Sequence, residues 1–308
     1  MNKKLITAIL ATITLTTTAI QAVPAKADNA PAVAILDTAL DTSLPIFKDR
    51  IAYEVCILEW NSCPNGKSFQ EGPGSAVLPM SIIANNGFSH GTSMASVVAN
   101  TDPNVKIVFI RIIGNTPSGG RQIANELTVV NALTWVLQNK DRFNIKAVSM
   151  AQGHHNLSPL TDYCPSTPNT VNLVKSLNTA NVGVFFAAGN GYDYKRLDWP
   201  ACINESISVG ATDARDTIPL YSNMDSARLD IHSLGTMKVT YPGGAISNAV
   251  GTSISTQVAA TQWTVLSTAR PTLTADQLLD LIKKTADNTR GSAGRTGLLF
   301  NLSKALNG

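Results

Sequence analysis

Histidine is scarce in this chain, four residues in 308. Chemistry that needs an imidazole therefore has few sources. Charge is sparse as well: Asp, Glu, Lys and Arg make up 15% of the residues and the formal net charge is +3. The basic residues are scattered rather than striped, which leaves no footprint for nucleic acid. No segment beyond the N-terminus is long and apolar enough to span a bilayer, which takes about 18 or more apolar residues. Charge-rich linkers, internal repeats and low-complexity tracts are missing, so one domain is the simplest count. What the chain does have is 44% hydrophobic residues, enough for a large core and too many for a disordered protein.

The N-terminus reads MNKKLITAILATITLTTTAIQAVPAKADNA. Lys3 and Lys4 precede a mostly apolar run to Ile20, and Ala25-Lys26-Ala27 has the small-x-small pattern of a signal peptidase site. Residues 1–27 are read as a secretory signal and 28–308 as the mature domain, placed outside the cell or in the periplasm. Thr12, Thr14, Thr16, Thr17 and Thr18 dilute the run too far for an uncleaved anchor, so the mature protein is expected to be free of the membrane. An oxidising compartment favours disulfides over metal binding for the four cysteines. Cys56–Cys63 is favoured by proximity and Cys164–Cys202 by elimination; the spacing matches no common zinc finger.

Short β-branched runs alternate with amphipathic stretches along the rest of the chain. Residues 32–36, 105–112, 145–150, 182–188 and 206–211 read as strands, while 124–140 and 170–181 carry apolar residues at helical spacing. The strand runs are continuously apolar, as strands buried on both faces must be. A mostly parallel sheet with helices on both faces, a three-layer α/β/α fold, is predicted. In such sheets functional groups gather at the carboxyl ends of the strands.

Four polar residues fall at such places. Asp37 ends the first strand in AVAILDTALD, His90 opens a helix in FSHGTSMASVVAN, Asn190 sits on the glycine turn of VFFAAGNGYD, and Ser253 follows Gly251-Thr252 at the head of another apolar helix. Singly, each is a common capping or turn residue. Together, in the order Asp, His, Asn, Ser, they resemble the subtilisin-like serine proteases, the subtilase family. The likeness covers roughly residues 30–290. It makes GTSMAS the histidine segment, with Ser93 an ordinary helix residue.

The resemblance implies a subtilisin-like fold and a serine endopeptidase acting through an acyl-enzyme. Ser253 would be the nucleophile, His90 its base, Asp37 the group that orients His90, and Asn190 an oxyanion donor. Ser149, Ala151, Gln152 and Gly153 would form an edge strand for extended polypeptide, with Ala188 and Gly189 as the opposite wall of the primary pocket. Members often bind calcium, but no dense carboxylate loop is present and no metal or other cofactor is assigned. His154 and His155 read as a polar loop. A monomer acting on polypeptide substrates is expected.

Ala39, Ser96 and Thr261 stand where glycines are usual, Ile254 and Ser255 replace Met-Ala, and Gln257 replaces a proline. Only residues 28–36 separate the signal from Asp37, which leaves no room for an N-terminal pro-domain. Residues 51–80 read as an inserted hairpin carrying the Cys56–Cys63 loop. The competing reading is an exported binding module of the same fold without activity. A nucleotide-binding domain is disfavoured, since AAGNGY is not a GxGxxG turn.

Overall fold

The computed structural model describes residues 30–308 except 85–86, 117, 119, 156–163 and 166; the signal segment lies outside them. In chain order the first half contains β1 (Ala32–Asp37), β2 (Ile51–Ile57), β3 (Phe69–Glu71), α1 (Met80–Ile83), α2 (His90–Thr101), β4 (Lys106–Arg111), α3 (Glu126–Asn139), β5 (Ile145–Met150), α4 (Pro168–Thr179) and β6 (Gly183–Ala187). The second half adds β7 (Ile207–Thr212), β8 (Thr217–Ile218), β9 (Ile231–Leu234), β10 (Thr236–Thr240), β11 (Ile246–Val250), α5 (Thr252–Ala269), α6 (Ala275–Thr285), β12 (Asp287–Gly291), β13 (Thr296–Leu299) and α7 (Leu302–Asn307).

Eleven strands form one sheet in the order β3-β2-β4-β1-β5-β6-β7-β9-β13-β12-β8. All neighbours are parallel except β2–β3 and β12–β13. Side chains alternate faces along a strand, and β1 shows the result. Ala32, Ala34 and Leu36 pack in the layer holding Val129 and Leu133 of α3 and Val174 of α4. Val33 and Ile35 pack in the opposite layer with Val98 of α2, Trp263 of α5 and Ile282 of α6. With both faces covered, a central strand such as β1 is apolar until its terminal Asp37, and the three-layer α/β/α fold follows.

The hairpin expected over residues 51–80 is only partly an insertion. β2 and β3 do pair antiparallel, but β2 also pairs parallel with β4, which makes it a strand of the main sheet. Its near-continuous burial from Glu54 to Ile57 is the reason. Both expected disulfides are present, with Cα–Cα separations of 5.9 Å for Cys56–Cys63 and 5.6 Å for Cys164–Cys202.

Two of the missing glycines have structural replacements. The Ser96 hydroxyl donates to Ser93 O at 2.7 Å and accepts from Thr240 N at 2.9 Å, tying α2 to the β10–β11 hairpin. Thr261 turns its hydroxyl back onto Gln257 O within α5. Gln257 itself is fully buried with neither side-chain polar atom partnered among the described residues, and nothing in the structure explains it.

Candidate active site

Asp37 is the last residue of β1 and is fully buried on the α2 face. The next residue fastens that strand end to α2: the Thr38 hydroxyl donates to Phe88 O at 2.7 Å and accepts from Gly91 N at 2.8 Å. Gly91 is needed at this junction, because a Cβ there would lie 2.6 Å from Ala39 O and 2.7 Å from the Phe109 ring. The close approach brings His90, the first residue of α2, over the strand end. Its Nδ1 stands 2.9 Å from each Asp37 carboxylate oxygen.

Asp37 Oδ1 also accepts from Thr38 N at 2.7 Å and from Gln152 Nε2 at 3.1 Å. A carboxylate held by several donors stays in one orientation. A proton on Nδ1 satisfies that carboxylate and leaves Nε2 free to act as base; Gln152 Nε2 also lies 2.9 Å from Nδ1. Gln152 is held from its other end by Arg121 Nη2, 2.5 Å from its Oε1.

Ser253 is the second residue of α5 and lines the same cleft as His90. No hydrogen bond joins the two among the described residues; such contacts commonly tighten only with substrate in place. Asn190 lines the cleft beside them, and its Oδ1 accepts from Thr252 N at 2.9 Å and from the Thr252 hydroxyl at 3.1 Å. An N–H can only donate, so the Asn190 oxygen is fixed toward α5 and its NH2 group is the end left for the cleft. Asn190 takes the Thr252 N–H and Gly251 O takes those of Ile254 and Ser255, so the Ser253 N–H is left without a partner among the described residues, at the partly positive end of α5.

The expected substrate walls are placed unevenly. Ala151, Gln152, Gly153 and Gly189 line the cleft. Ser149 does not lie on an edge: it is fully buried in β5, whose two sides are taken by β1 and β6 in register with Ile35 and Phe185. Open backbone begins only after Met150. Ala188 is buried with its N–H on Val209 O and its carbonyl on Asp198 N, and the neighbouring Ala187 lines the cleft instead.

Sequence reasoning overlooked several groups here. Asn223 is fully buried and braces the glycine turn, accepting from Gly191 N at 2.8 Å and Asp193 N at 3.1 Å and donating to Asp198 Oδ1 at 3.0 Å. Arg121 and Asp198 line the cleft. None lies in a recognisable motif. The His154 ring lies tilted against Trp199 with centroids 5.1 Å apart, and His155 Nδ1 meets Asp198 Oδ1 at 2.9 Å. Among the described residues no group of three or more His, Cys, Asp or Glu is arranged to hold a metal ion.

A buried carboxylate with an imidazole on it, and a serine at a helix N-terminus lining the same cleft of a mostly parallel α/β/α sheet, are groups that a serine hydrolase uses. Comparison narrows this: the subtilase family model matches residues 28–301, and the chain belongs to that family. It is a serine endopeptidase of the subtilisin-like type, acting on polypeptides. It is 25% identical to subtilisin DY of Bacillus licheniformis over 217 residues, 66% of this chain and 72% of that protein. It is 26% identical to the major intracellular serine protease of Bacillus subtilis (strain 168) over 237 residues, 72% of this chain and 63% of the relative's length. The solved protease domain of PatA superposes with a TM-score of 0.70 at 20% identity, covering 92% of this chain and 96% of that one.

Proposed function

We propose that the chain is an exported endopeptidase in which Ser253, His90 and Asp37 form the catalytic triad. The observation that carries this reading is His90 Nδ1 at 2.9 Å from both Asp37 oxygens, at the mouth of a cleft that Ser253 shares. A serine hydroxyl is a poor nucleophile at neutral pH, so its proton must leave as it attacks. His90 Nε2 takes that proton while Oγ bonds to the scissile carbonyl carbon. Asp37 holds the neutral tautomer beforehand and stabilises the imidazolium afterwards.

The carbonyl oxygen becomes an oxyanion, met by the Asn190 NH2 group and the Ser253 backbone N–H at the head of α5. Collapse breaks the C–N bond, His90 returns the proton to the leaving amine, and the acyl group remains on Ser253. Water then repeats the sequence with His90 as base and frees the acid. Substrate backbone would run along Ala151–Gly153, the first open backbone beyond β5. Main-chain pairing of this kind gives affinity with little sequence demand.

Incubation with an unfolded polypeptide tests the reading. New α-amino termini are expected with the wild-type chain and none with Ser253→Ala; a polypeptide left intact by folded wild-type protein would favour the inactive binding module. The export reading rests on residues 1–27, since family membership alone does not set a compartment: one relative above is named as intracellular. Sequencing the N-terminus of the exported form should find Asp28, and a start at Met1 contradicts it.

A further inference from the structure

One acidic group in the cleft has no part in the chemistry above. Asp198 lines it together with Gly153, Gly189, Asn190 and Ser253. Its Oδ1 is occupied by His155 Nδ1 at 2.9 Å and Asn223 Nδ2 at 3.0 Å, while its Oδ2 has no hydrogen-bond partner among the described residues. Only glycine can stand between this carboxylate and the cleft: a Cβ at Gly189 would lie 2.4 Å from Asp198 Cγ and Oδ2. Gly153 is bare for a similar reason, since a Cβ there would lie 2.4 Å from Trp199 O.

Apart from His155, no basic side chain is paired with Asp198 among the described residues. Asp193, on the far side of His155, is matched by Arg196 Nε at 2.6 Å. Arg121, the cation of the cleft, is held on the His90 side by Gln152. Burial pushes the Asp198 carboxyl up, with His155 pulling the other way. A carboxylate poorly solvated by water gains most from a cation that enters without its own water.

We propose that Asp198 makes the cleft selective for a lysine or arginine side chain on the acyl side of the scissile bond. A long side chain entering the cleft that Gly153 and Gly189 line would bring the cation at its tip to Asp198 Oδ2. A lysine ammonium and an arginine guanidinium can each donate to that one oxygen. The cleft, about 320 Å³, is of the size that takes a small ligand. The substrate class then becomes polypeptide with a basic residue before the cut.

This rests on the endopeptidase reading, so the test separates the two. Matched peptides with Arg, Lys, Leu, Phe or Glu before the scissile bond are compared in the wild type and in Asp198→Asn. Arginyl and lysyl peptides are expected to lead, and the ratio of arginyl to leucyl kcat/KM to fall at least tenfold in Asp198→Asn. A site that loses the partner of a buried polar group discriminates strongly. Binding of p-aminobenzamidine, an aryl amidinium, is measured in parallel on wild type, Ser253→Ala and Asp198→Asn. It is expected in the first two and at least tenfold weaker in the third, and this arm works even if no peptide is cut. Equal cleavage of leucyl and arginyl peptides, a basic preference that survives Asp198→Asn, or no amidinium binding by the wild type would each overturn the proposal. Amidinium binding without any hydrolysis would sink the endopeptidase reading and leave the acidic pocket standing.

Discussion

Asn190 Oδ1 accepts the backbone N–H of Thr252 at 2.9 Å, so the residue proposed to hold the oxyanion also caps the helix that carries the nucleophile. No side chain of the helix's own N-cap, Gly251, can do so. The two roles use opposite ends of one amide and can be separated by substitution.

Asn190→Asp keeps the acceptor for Thr252 and loses the NH2 donor. Its turnover should fall about 10²–10³-fold, the scale seen for such a donor in a subtilisin, with melting temperature close to wild type. Asn190→Ala loses both ends and should in addition cost about 1 kcal/mol of stability. Steady-state kinetics beside thermal melts read the two effects apart. Unchanged turnover in Asn190→Asp would remove Asn190 from the oxyanion role.

Gly91→Ala should destabilise the protein by about 1–3 kcal/mol. The added methyl meets Ala39 backbone and the Phe109 ring, neither of which is a flexible side-chain end. Because α2 must move away from β1 to make room, His90 moves off Asp37 and kcat should fall with stability. A variant with wild-type turnover and melting temperature would show that the junction is looser than these distances state.

Folding should weaken in mild acid through a residue remote from catalysis. His232 in β9 packs against Gly210 and Gly297, where an added Cβ would come within 2.8 Å and 2.2 Å of its ring. Burial pushes its pKa down from 6.5 to about 4, a Leu298 backbone contact working the other way. The unfolded chain therefore binds a proton that the folded one refuses, and stability present above about pH 6.5 drains away as pH falls toward 4. The loss is on the order of 3 kcal/mol, flattening below pH 4. Denaturant titrations of wild type and His232→Asn compare the slopes between pH 6.5 and 4; an equal slope in the variant would assign the acid sensitivity elsewhere.

The two disulfides should differ in weight. Cys164–Cys202 spans 38 residues and Cys56–Cys63 only 7. Loop-closure entropy assigns roughly 4 kcal/mol to the longer loop and about 2 kcal/mol to the shorter. Paired Cys→Ser variants, compared by chemical denaturation, should rank in that order. The reverse order would mean that native-state effects outweigh chain entropy.

The layers, and the strand and helix ends that carry the proposed triad, were legible because they rest on local signals. Continuous apolar runs mark doubly covered strands, as in β1 and β5, and Asp37, His90, Asn190 and Ser253 each sit where a strand or helix ends. Pairing partners are less local. Nothing in AVSM announces that Ser149 lies between β1 and β6 rather than on an edge, and β2 looked like an insertion because its partner β4 lies about fifty residues on. Gln152 was expected on the substrate wall, and its reach to Asp37 depends on a loop conformation that no periodicity encodes. Asp198 was invisible for a like reason: it approaches the cleft only because Gly189 lets it.

The central claim is that Ser253, not the look-alike Ser93, is the nucleophile. The Ser93 hydroxyl donates to His90 O at 2.8 Å and is buried in α2, so it cannot present itself to the imidazole three residues before it. Labelling with a serine-directed fluorophosphonate tests this most directly. Label is expected on the wild type and on Ser93→Ala but not on Ser253→Ala, whose turnover should drop by about 10⁶, the scale of nucleophile loss in a subtilisin. Label retained by Ser253→Ala and lost from Ser93→Ala would contradict the assignment outright.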